Sequence, residues 1–156
     1  MDISSLESVK AAAQKVLGYS ESLDVLIANA GVMALPESKT KDGLEGHFGS
    51  NHLGHFYFFN AIMSKVLESK SKEKRVVVVA SSTHAYGDIN LESPGYIQGT
   101  EGQIYDKWNA YGQSKTSNML YALSLSKKLK SKGIKAFSLH PGVLQSPLWR
   151  NLSAAG

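Results

Sequence analysis

The 156-residue sequence contains no cysteine, which excludes disulfide bonds, thiolate nucleophiles and cysteine-ligated zinc. Its longest hydrophobic run, from Arg75 to Ala80, is far shorter than the roughly 18 residues of a membrane span. No basic stretch followed by an apolar core opens the chain, so no signal peptide is visible and the cytoplasm is only a default localisation. With 42% hydrophobic and 19% charged residues, the composition is that of an ordinary globular domain.

Acidic residues are absent after Asp106, whereas residues 107–156 carry eight Lys and Arg side chains. A basic region of this kind can bind nucleic acid. However, no aromatic side chain is interleaved among the five lysines between residues 127 and 135 to stack on bases. Five of the cations surround a predicted helix end just before Gly133, where positive charge favours the helix dipole: Lys127, Lys128, Lys130, Lys132 and Lys135. The pattern therefore indicates a solvated helix end, and we expect no nucleic-acid partner.

Short apolar runs alternate with longer segments of helical periodicity. The runs predict three buried strands, Leu23–Ala28, Arg75–Ala80 and Lys135–His140. The periodic segments predict helices that end at Leu17, at Leu67 and at Lys132, and glycines 43, 46, 49 and 54 indicate an imperfect start or a break in the second. Strands separated by helices predict an α/β fold with a parallel sheet and helices on both faces.

Ligands in such sheets bind beyond the carboxyl ends of the strands. The positions to inspect are therefore Asn29–Val32, Ser81–Thr83 and Pro141–Ser146, which are rich in small or polar residues. A loop of about two dozen residues from Tyr86 to Asn109, with several aromatic side chains including Tyr96, also favours a functional role because loops this long are uncommon.

Tyr111 and Lys115 stand four residues apart on the third predicted helix and share one of its faces. An ammonium beside a phenol stabilises the phenolate, and this makes tyrosine a general acid or base near neutral pH. A solvated Tyr–Lys pair is the commoner explanation of this spacing alone. The helix start just upstream and the serine after the preceding strand favour the functional reading.

Other polar residues near the strand ends admit two interpretations each. Ser82 has no Gly-x-Ser-x-Gly elbow around it, so a hydrogen bond to a substrate oxygen suits it better than nucleophilic attack, beside the plain role of ending a strand. Asn51 lies inside an apolar helix, where a kink or cap is the structural alternative to a role in catalysis. His52 and His55 lack an evident third metal ligand, so packing is favoured over metal binding and we expect no metal site.

Taken together, these motifs resemble the short-chain dehydrogenase/reductase family. The motifs occur in the family's order and span nearly the whole chain: Asn29-Ala30-Gly31, the helix Asn51-His52-Leu53-Gly54-His55-Phe56, Ser81-Ser82, Tyr111-x-x-x-Lys115 and Pro141-Gly142. The sequence is most similar to the branch that holds retinol dehydrogenases and WW-domain oxidoreductases. The resemblance implies a partial Rossmann-type, doubly wound parallel sheet of about three strands, with residues 1–156 forming a single incomplete NAD(P)-binding domain.

The resemblance also implies a role for each matching residue. Tyr111 would exchange a proton with a carbonyl or alcohol substrate, and Lys115 would lower the pKa of Tyr111 and hold the nicotinamide ribose. Ser82 would orient the carbonyl oxygen, and Asn51 would support a water-linked proton relay. The implied cofactor is NAD or NADP, with NADP favoured by the branch. Its adenosine side would contact Asp2, Asn29, Ala30 and Gly31, and its nicotinamide side Pro141, Gly142, Val143 and Ser146.

The sequence departs from the family in lacking the Thr-Gly-x-x-x-Gly-x-Gly turn that holds the cofactor pyrophosphate. The first βαβαβ portion of the family's fold and most of its substrate lid are also missing from the match. We therefore expect the strand Leu23–Ala28 to form an open edge, and the chain by itself to bind cofactor weakly or not at all.

Three functions remain open from the sequence. The first is oxidoreduction of a small, lipophilic alcohol or carbonyl compound. In that function the chain would supply the catalytic half of the enzyme. The second is a non-catalytic partner that forms a homo- or heterodimer through two long helices, Leu44–Leu67 and Ala110–Lys132. The third, an extended-type epimerase or dehydratase, shares Tyr-x-x-x-Lys, but Asn29-Ala30-Gly31 and Pro141-Gly142 argue against it.

Overall fold

The computed structural model describes residues 1–90, 104–143 and 145–152. Three helices alternate with three strands along these residues, which confirms the predicted order. The predicted loop lies largely outside the described residues, since residues 91–103, Tyr96 among them, are not described. The elements are α1 (Leu6–Leu17), β1 (Val25–Ala28), α2 (Gly54–Leu67), β2 (Lys74–Val79), α3 (Lys107–Leu129) and β3 (Ile134–Leu139).

The three strands form one parallel sheet in the order β1-β2-β3, as the sequence predicts. Register places Ile27 beside Val77 and Val77 beside Phe137, so these three side chains lie in one row across a single face. Leu26, Val76 and Ala136 form the neighbouring row on the opposite face. Because all strands run in the same direction, their carboxyl ends meet at one edge of the sheet.

All three described helices pack on one face of the sheet, so the expected second helical layer is not found among the described residues. The core on that face joins Leu26, Val76 and Ile134 to residues of every helix, including Ala13, Phe59, Ile62, Val66, Ala122 and Leu125. The reason is topological. A sheet whose strands advance in one direction has all its right-handed crossovers on the same side, and a second layer needs a reversal of direction.

The opposite face of the sheet is apolar and largely exposed. Ile27 is 60% exposed and Phe137 47%, and Val25 and Leu139 on the same face are each 42% exposed. Within the described residues β1 is also an edge strand, as expected. An exposed apolar face beside an open strand edge favours association with another surface.

We therefore expect the chain to self-associate as its concentration rises, and Ile27→Lys or Phe137→Lys to raise the concentration at which it does so. Each substitution is at an exposed position and should change the free energy of unfolding by less than about 0.5 kcal/mol. Sedimentation velocity over a concentration series measures the effect. Leu17→Lys, which places the same charge at an exposed apolar position on α1, is the control; equal effects of all three substitutions would contradict a role for the sheet face.

The second helix begins irregularly, in agreement with the break predicted from its glycines. A π-helical turn, Phe48–Leu53, precedes α2. Gly54, where α2 begins, packs directly against the Ile3 carbonyl, so a side chain there would collide with backbone. The wider turn changes the face that its residues present, and it buries Asn51 towards the carboxyl edge of the sheet.

Candidate active site

Tyr111 and Lys115 lie in the first turns of α3 and are both buried, with 4% and 5% of their surfaces exposed. The Lys115 ammonium nitrogen lies 5.5 Å from the centre of the Tyr111 ring. Lys115 Nζ also donates a hydrogen bond of 3.1 Å to the Val79 carbonyl at the end of β2. The helical spacing thus brings a phenol and an ammonium together at the carboxyl edge of the sheet.

Burial controls the acidity of both groups. It lowers the pKa of Lys115 to about 8, because the low-dielectric surroundings disfavour the charged form. It also raises the pKa of Tyr111, and a hydrogen bond with Ser81 opposes that rise. The sequence suggested a lowered phenol pKa instead. In this arrangement the ammonium lies over the ring face, and burial outweighs its effect on the hydroxyl.

The two serines after β2 occupy different environments. Ser81 is buried and accepts bonds from the backbone N–H of Thr83 at 3.2 Å and from its hydroxyl at 2.8 Å, and it lies near enough to Tyr111 to lower the pKa of that phenol. Ser82 is exposed at the first position of a 3₁₀ turn, Ser82–Tyr86. The structure therefore brings Ser81 to the tyrosine, and Ser82 stands beside it with its side chain accessible to a ligand.

A glycine pair holds this 3₁₀ turn against α3. Gly87 and Gly112 pack backbone to backbone, and a Cβ added to Gly112 would lie 2.6 Å from the Thr83 carbonyl oxygen and 2.8 Å from the Gly87 nitrogen. Thr116 completes the contact by donating to the Gly87 carbonyl at 2.6 Å. A glycine inside a helix, directly after Tyr111, was the sequence signal that could have revealed this clamp.

We expect Gly112→Ala to lower the free energy of unfolding by about 1–3 kcal/mol, since a methyl group there meets backbone that cannot rotate away. The 3₁₀ turn must move, and the serines move with it relative to Tyr111. Urea unfolding measures the loss. Gly18→Ala is the control, because a Cβ at Gly18 comes no closer than 3.4 Å to the atoms around it; a Gly112→Ala chain as stable as the parent would contradict the clamp.

Asn51 is 1% exposed and joins two elements of the site. Its Oδ1 accepts from the Val32 N–H at 2.8 Å, and its Nδ2 donates to the Val32 carbonyl at 2.9 Å. The same Nδ2 donates to Ser114 Oγ at 3.1 Å, and Ser114 Oγ donates in turn to the Tyr111 carbonyl at 2.7 Å. Ser114, which sequence analysis missed, therefore links the loop after β1 to the helix of the tyrosine.

Gly31 lies close to both Asn51 and Lys115. A Cβ added to Gly31 would be 2.9 Å from Asn51 Oδ1 and 3.9 Å from Lys115 Nζ. Three of the sequence motifs thus meet at one place, the carboxyl edge of the sheet. This convergence agrees with the strand-end rule that singled them out.

The two histidines of the second helix have protein partners. His55 Nε2 donates to the Ala30 carbonyl at 2.8 Å and so holds the loop after β1. His52 Nδ1 lies 3.1 Å from Asn118 Oδ1. Burial lowers the pKa of both imidazoles. Among residues 1–90, 104–143 and 145–152, no cluster of three His, Asp or Glu side chains could hold a metal ion.

The remaining predicted residues lie at the termini of the elements. Asn29 and Ala30 follow β1 and are exposed, as are Pro141, Gly142 and Val143 after β3. Further along the chain, Ser146 caps a 3₁₀ turn, Pro147–Asn151, which is tied to the loop after β1 by a 3.0 Å bond from Asn151 Nδ2 to the Met33 carbonyl.

Asp2 contacts its own turn, and its carboxylate also lies 3.9 Å from Lys41 Nζ. It is exposed, and its carboxylate accepts from the Ser4 N–H at 2.9 Å and from the Ser4 hydroxyl at 2.7 Å. Hydrogen bonds with Ser4 lower its pKa. The carboxylate is therefore ionised near neutral pH and shapes the turn before α1.

The chain is similar in sequence to known proteins. The sequence profile described as short chain dehydrogenase matches residues 1–93. Retinol dehydrogenase 12 of Mus musculus is 40% identical over 151 residues, which cover 97% of this chain and 46% of that protein. Retinol dehydrogenase 11 of Homo sapiens is 40% identical over 153 residues, which cover 98% of this chain and 46% of that protein. The chain thus spans less than half the length of these relatives.

Solved structures share the fold. A crystal structure of an uncharacterized protein from Mycobacterium Paratuberculosis matches with a TM-score of 0.74 and 36% identity, over 97% of this chain and 52% of that one. A short-chain dehydrogenase from Sphingobium yanoikuyae in complex with NADPH matches with a TM-score of 0.69 at 17% identity, over 96% of this chain and 52% of that one, a likeness of fold. No helix in the described residues is long and apolar enough to cross a membrane. Because the sequence profile matches more than half of the residues of this chain, the chain belongs to the short-chain dehydrogenase family.

Proposed function

We propose that this chain supplies the proton-transfer half of an oxidoreductase site that interconverts an alcohol and a carbonyl compound with a nicotinamide cofactor. The observation that carries the proposal is the buried Tyr111–Lys115 pair at the carboxyl edge of a parallel sheet, with Ser81 near enough to the phenol to lower its pKa. Buried acid–base groups at such an edge are typical of catalytic sites in this fold class.

In carbonyl reduction, Tyr111 gives its hydroxyl proton to the substrate oxygen as negative charge develops there, and in alcohol oxidation it takes that proton. Ser82, exposed beside it, donates a hydrogen bond to the same oxygen and stabilises the developing charge. Ser81 holds the phenol through its hydroxyl. With a pKa of about 8, the buried Lys115 ammonium can replenish the tyrosine proton near neutral pH, and Asn51 supports a water-linked relay to it.

The cofactor, when bound, supplies or accepts the hydride. Two kinds of group would hold the cofactor: the Lys115 ammonium and the exposed backbone that follows β1 and β3. The exposed backbone lies at Asn29, Ala30, Pro141, Gly142 and Val143, and Ser146 is farther along the chain. Gly31 would lie against its adenosine side, and Asp2 would contact the adenine. These residues suit a nicotinamide riboside, whereas the sequence offers no glycine-rich turn for the pyrophosphate. The resemblance to retinol dehydrogenases favours NADP over NAD.

A lipophilic substrate fits what surrounds the tyrosine. Trp108 packs edge-on against the Tyr111 ring, with ring centres 6.5 Å apart, and is 38% exposed. Tyr86, at the end of the 3₁₀ turn beside the serines, is 75% exposed. Two related proteins are named retinol dehydrogenases, which act on an apolar alcohol by their name. We infer an alcohol or ketone with an apolar body as the substrate class.

A fusion tests this function. The part of human retinol dehydrogenase 11 that precedes its match to Met1 is joined to residues 1–156, and we call the product the fused chain. We expect it to oxidise retinol and reduce retinal with NADP(H), and to prefer these to small alcohols and aldehydes of the same chemistry. A folded fused chain that binds cofactor but turns over none of these alcohols, aldehydes and retinoids would contradict the proposal.

The second candidate function, a non-catalytic partner, draws on the outer faces of α2 and α3. These helices lie side by side, with the rings of Phe56 and Tyr121 5.0 Å apart. Their exposed apolar side chains include Phe56, Tyr57, Leu120 and Leu123. Gel filtration of the chain with and without a full-length relative separates the two functions. The partner function requires a complex between the two proteins, and the double substitution Leu120→Lys and Leu123→Lys should dissociate that complex.

A further inference from the structure

A buried acidic and aromatic network lies behind Tyr111, and the mechanism above does not use it. His47 is fully buried and Glu45 is 3% exposed, and their Nδ1 and Oε1 atoms are 2.8 Å apart. The Phe48 N–H donates to the other carboxylate oxygen at 2.7 Å. Burial raises the pKa of Glu45, but the hydrogen bonds from the His47 side chain and from backbone N–H groups outweigh it and hold the pKa below its ordinary value.

The hydrogen bonds fix the tautomer of His47. Its Nε2 accepts from the Leu35 N–H at 3.0 Å, so this nitrogen carries no proton. The Nδ1 atom must then carry the proton and donate it to the Glu45 carboxylate. His47 is therefore a neutral imidazole held at both ends. The residue before Leu35, Ala34, is buried with a positive φ of 54°, a backbone conformation that needs such support.

Tyr105 connects this network to the start of α3. Its hydroxyl donates to Glu45 Oε1 at 2.9 Å and lies 3.1 Å from His47 Nδ1. Tyr105 directly precedes Asp106, which caps α3 through the N–H groups of Trp108 and Asn109. The network thus ties the segment around residue 45 to the turn from which the helix of Tyr111 begins.

The imidazole also touches the catalytic candidate itself. The His47 and Tyr111 rings meet edge to face, with centres 5.8 Å apart and planes at 65°. Trp108 meets the same ring at 6.5 Å, and Lys115 Nζ lies 5.5 Å from its centre. Three groups therefore surround the Tyr111 ring, and His47 is the one that is itself fixed by hydrogen bonds at both nitrogens.

We propose that Glu45, His47 and Tyr105 are positioning residues that hold the Tyr111 ring in its proton-transferring orientation through the neutral imidazole of His47. For its catalytic consequence the proposal rests on the proposed function. The positional claim stands on the geometry of this chain alone. A displacement of the phenol by about 1 Å is enough to lower turnover severely.

Tyrosine nitration by tetranitromethane tests the positional claim on the 156-residue chain, with no need for turnover. Mass spectrometry gives the ratio of nitration at Tyr111 to that at the exposed Tyr86 in the same molecule. We expect Tyr105→Phe, which removes one hydroxyl, to raise the ratio by about threefold or more because local opening controls access. His47→Ala should raise it further, and His47→Gln, which keeps a donor and an acceptor, should partly restore it.

His52→Gln is the matched control, because it alters a partly buried histidine whose ring contacts Phe48, Phe56 and Tyr121 and whose Nδ1 lies against Asn118. An unchanged ratio in a folded Tyr105→Phe chain would overturn the proposal, whether or not His47→Ala folds. In the fused chain, Tyr105→Phe should lower kcat by about tenfold and leave the KM for cofactor unchanged. If the fused chain has no turnover, the proposed function fails and the nitration ratio alone decides the positioning role.

Discussion

Tyr111→Phe should lower the turnover of the fused chain by a factor of about 10²–10⁴, the contribution typical of a positioned general acid. The substitution removes one oxygen and keeps the ring with its contacts to His47 and Trp108. The free energy of unfolding should fall by no more than about 1 kcal/mol, since at most one polar interaction of the hydroxyl, with the nearby Ser81, is lost. Steady-state turnover and urea unfolding measure the two quantities.

Tyr121→Phe is the matched control for this prediction. Tyr121 lies on the same helix, and its hydroxyl accepts from Asn60 Nδ2 at 3.3 Å. Burial raises the pKa of Tyr121 to about 12, and the hydrogen-bond partner of its hydroxyl is Asn60, which is not a residue of the candidate site. Turnover should stay within about threefold of the parent, because the substitution removes no group of the proposed site. Equal losses from the two substitutions would show that Tyr111 acts through packing alone.

Lys115→Met should have opposite effects on turnover and stability. Turnover of the fused chain should fall by about 10²-fold or more, because the proton source behind Tyr111 is removed. At pH 7, however, the variant should be the more stable protein. Lowering the pKa of Lys115 to about 8 corresponds to a burial penalty of about 3 kcal/mol on the charged form. Loss of the bond to Val79 offsets about 1 kcal/mol of that gain.

The stabilisation by Lys115→Met should depend on pH in a defined direction. Below pH 8 the lysine is protonated in both folded and unfolded chains, so the full penalty is present. Between about pH 8 and 10.5 the unfolded chain binds more protons than the folded one, and the parent gains stability as the pH rises. The difference of about 2 kcal/mol between variant and parent at pH 7 should therefore shrink towards pH 10.

Urea unfolding of both chains at pH 7 and at pH 10 measures this trend. Lys127→Met is the control, since Lys127 is an exposed lysine of the same helix. Its effect should be small and the same at both pH values. Two results would contradict a buried lysine whose charged form is destabilised by desolvation. One is a Lys115→Met chain that is less stable than the parent at pH 7, and the other is a difference in stability between the two chains that does not change with pH.

Local spacing was enough to predict which side chains meet at the carboxyl edge of the sheet. Tyr111 and Lys115 share a helix face because four residues make about one turn, and the strand-end rule placed Asn29–Val32 and Ser81–Thr83 at the same edge. The structure confirms the parallel sheet and the order of its elements. The helix layers were harder to predict, because the face that each helix covers depends on the order of strands in space.

Contacts between distant segments could not be predicted from the sequence. Glu45 and Tyr105 are 60 residues apart and meet only in the folded chain. The partners of Asn51 at Val32 follow from a π-helical turn whose position no periodicity shows. In the same way, a short 3₁₀ turn decides that Ser81 is buried near Tyr111 and that Ser82 is exposed.

We propose a division of labour in which these 156 residues would carry proton transfer and a glycine-rich segment would carry the cofactor pyrophosphate. Titration of NADPH fluorescence tests it directly. The 156-residue chain should not saturate below about 1 mM, whereas the fused chain should bind with a Kd of about 1–10 μM. Saturable micromolar binding by the 156-residue chain, with turnover that Tyr111→Phe abolishes, would contradict the account.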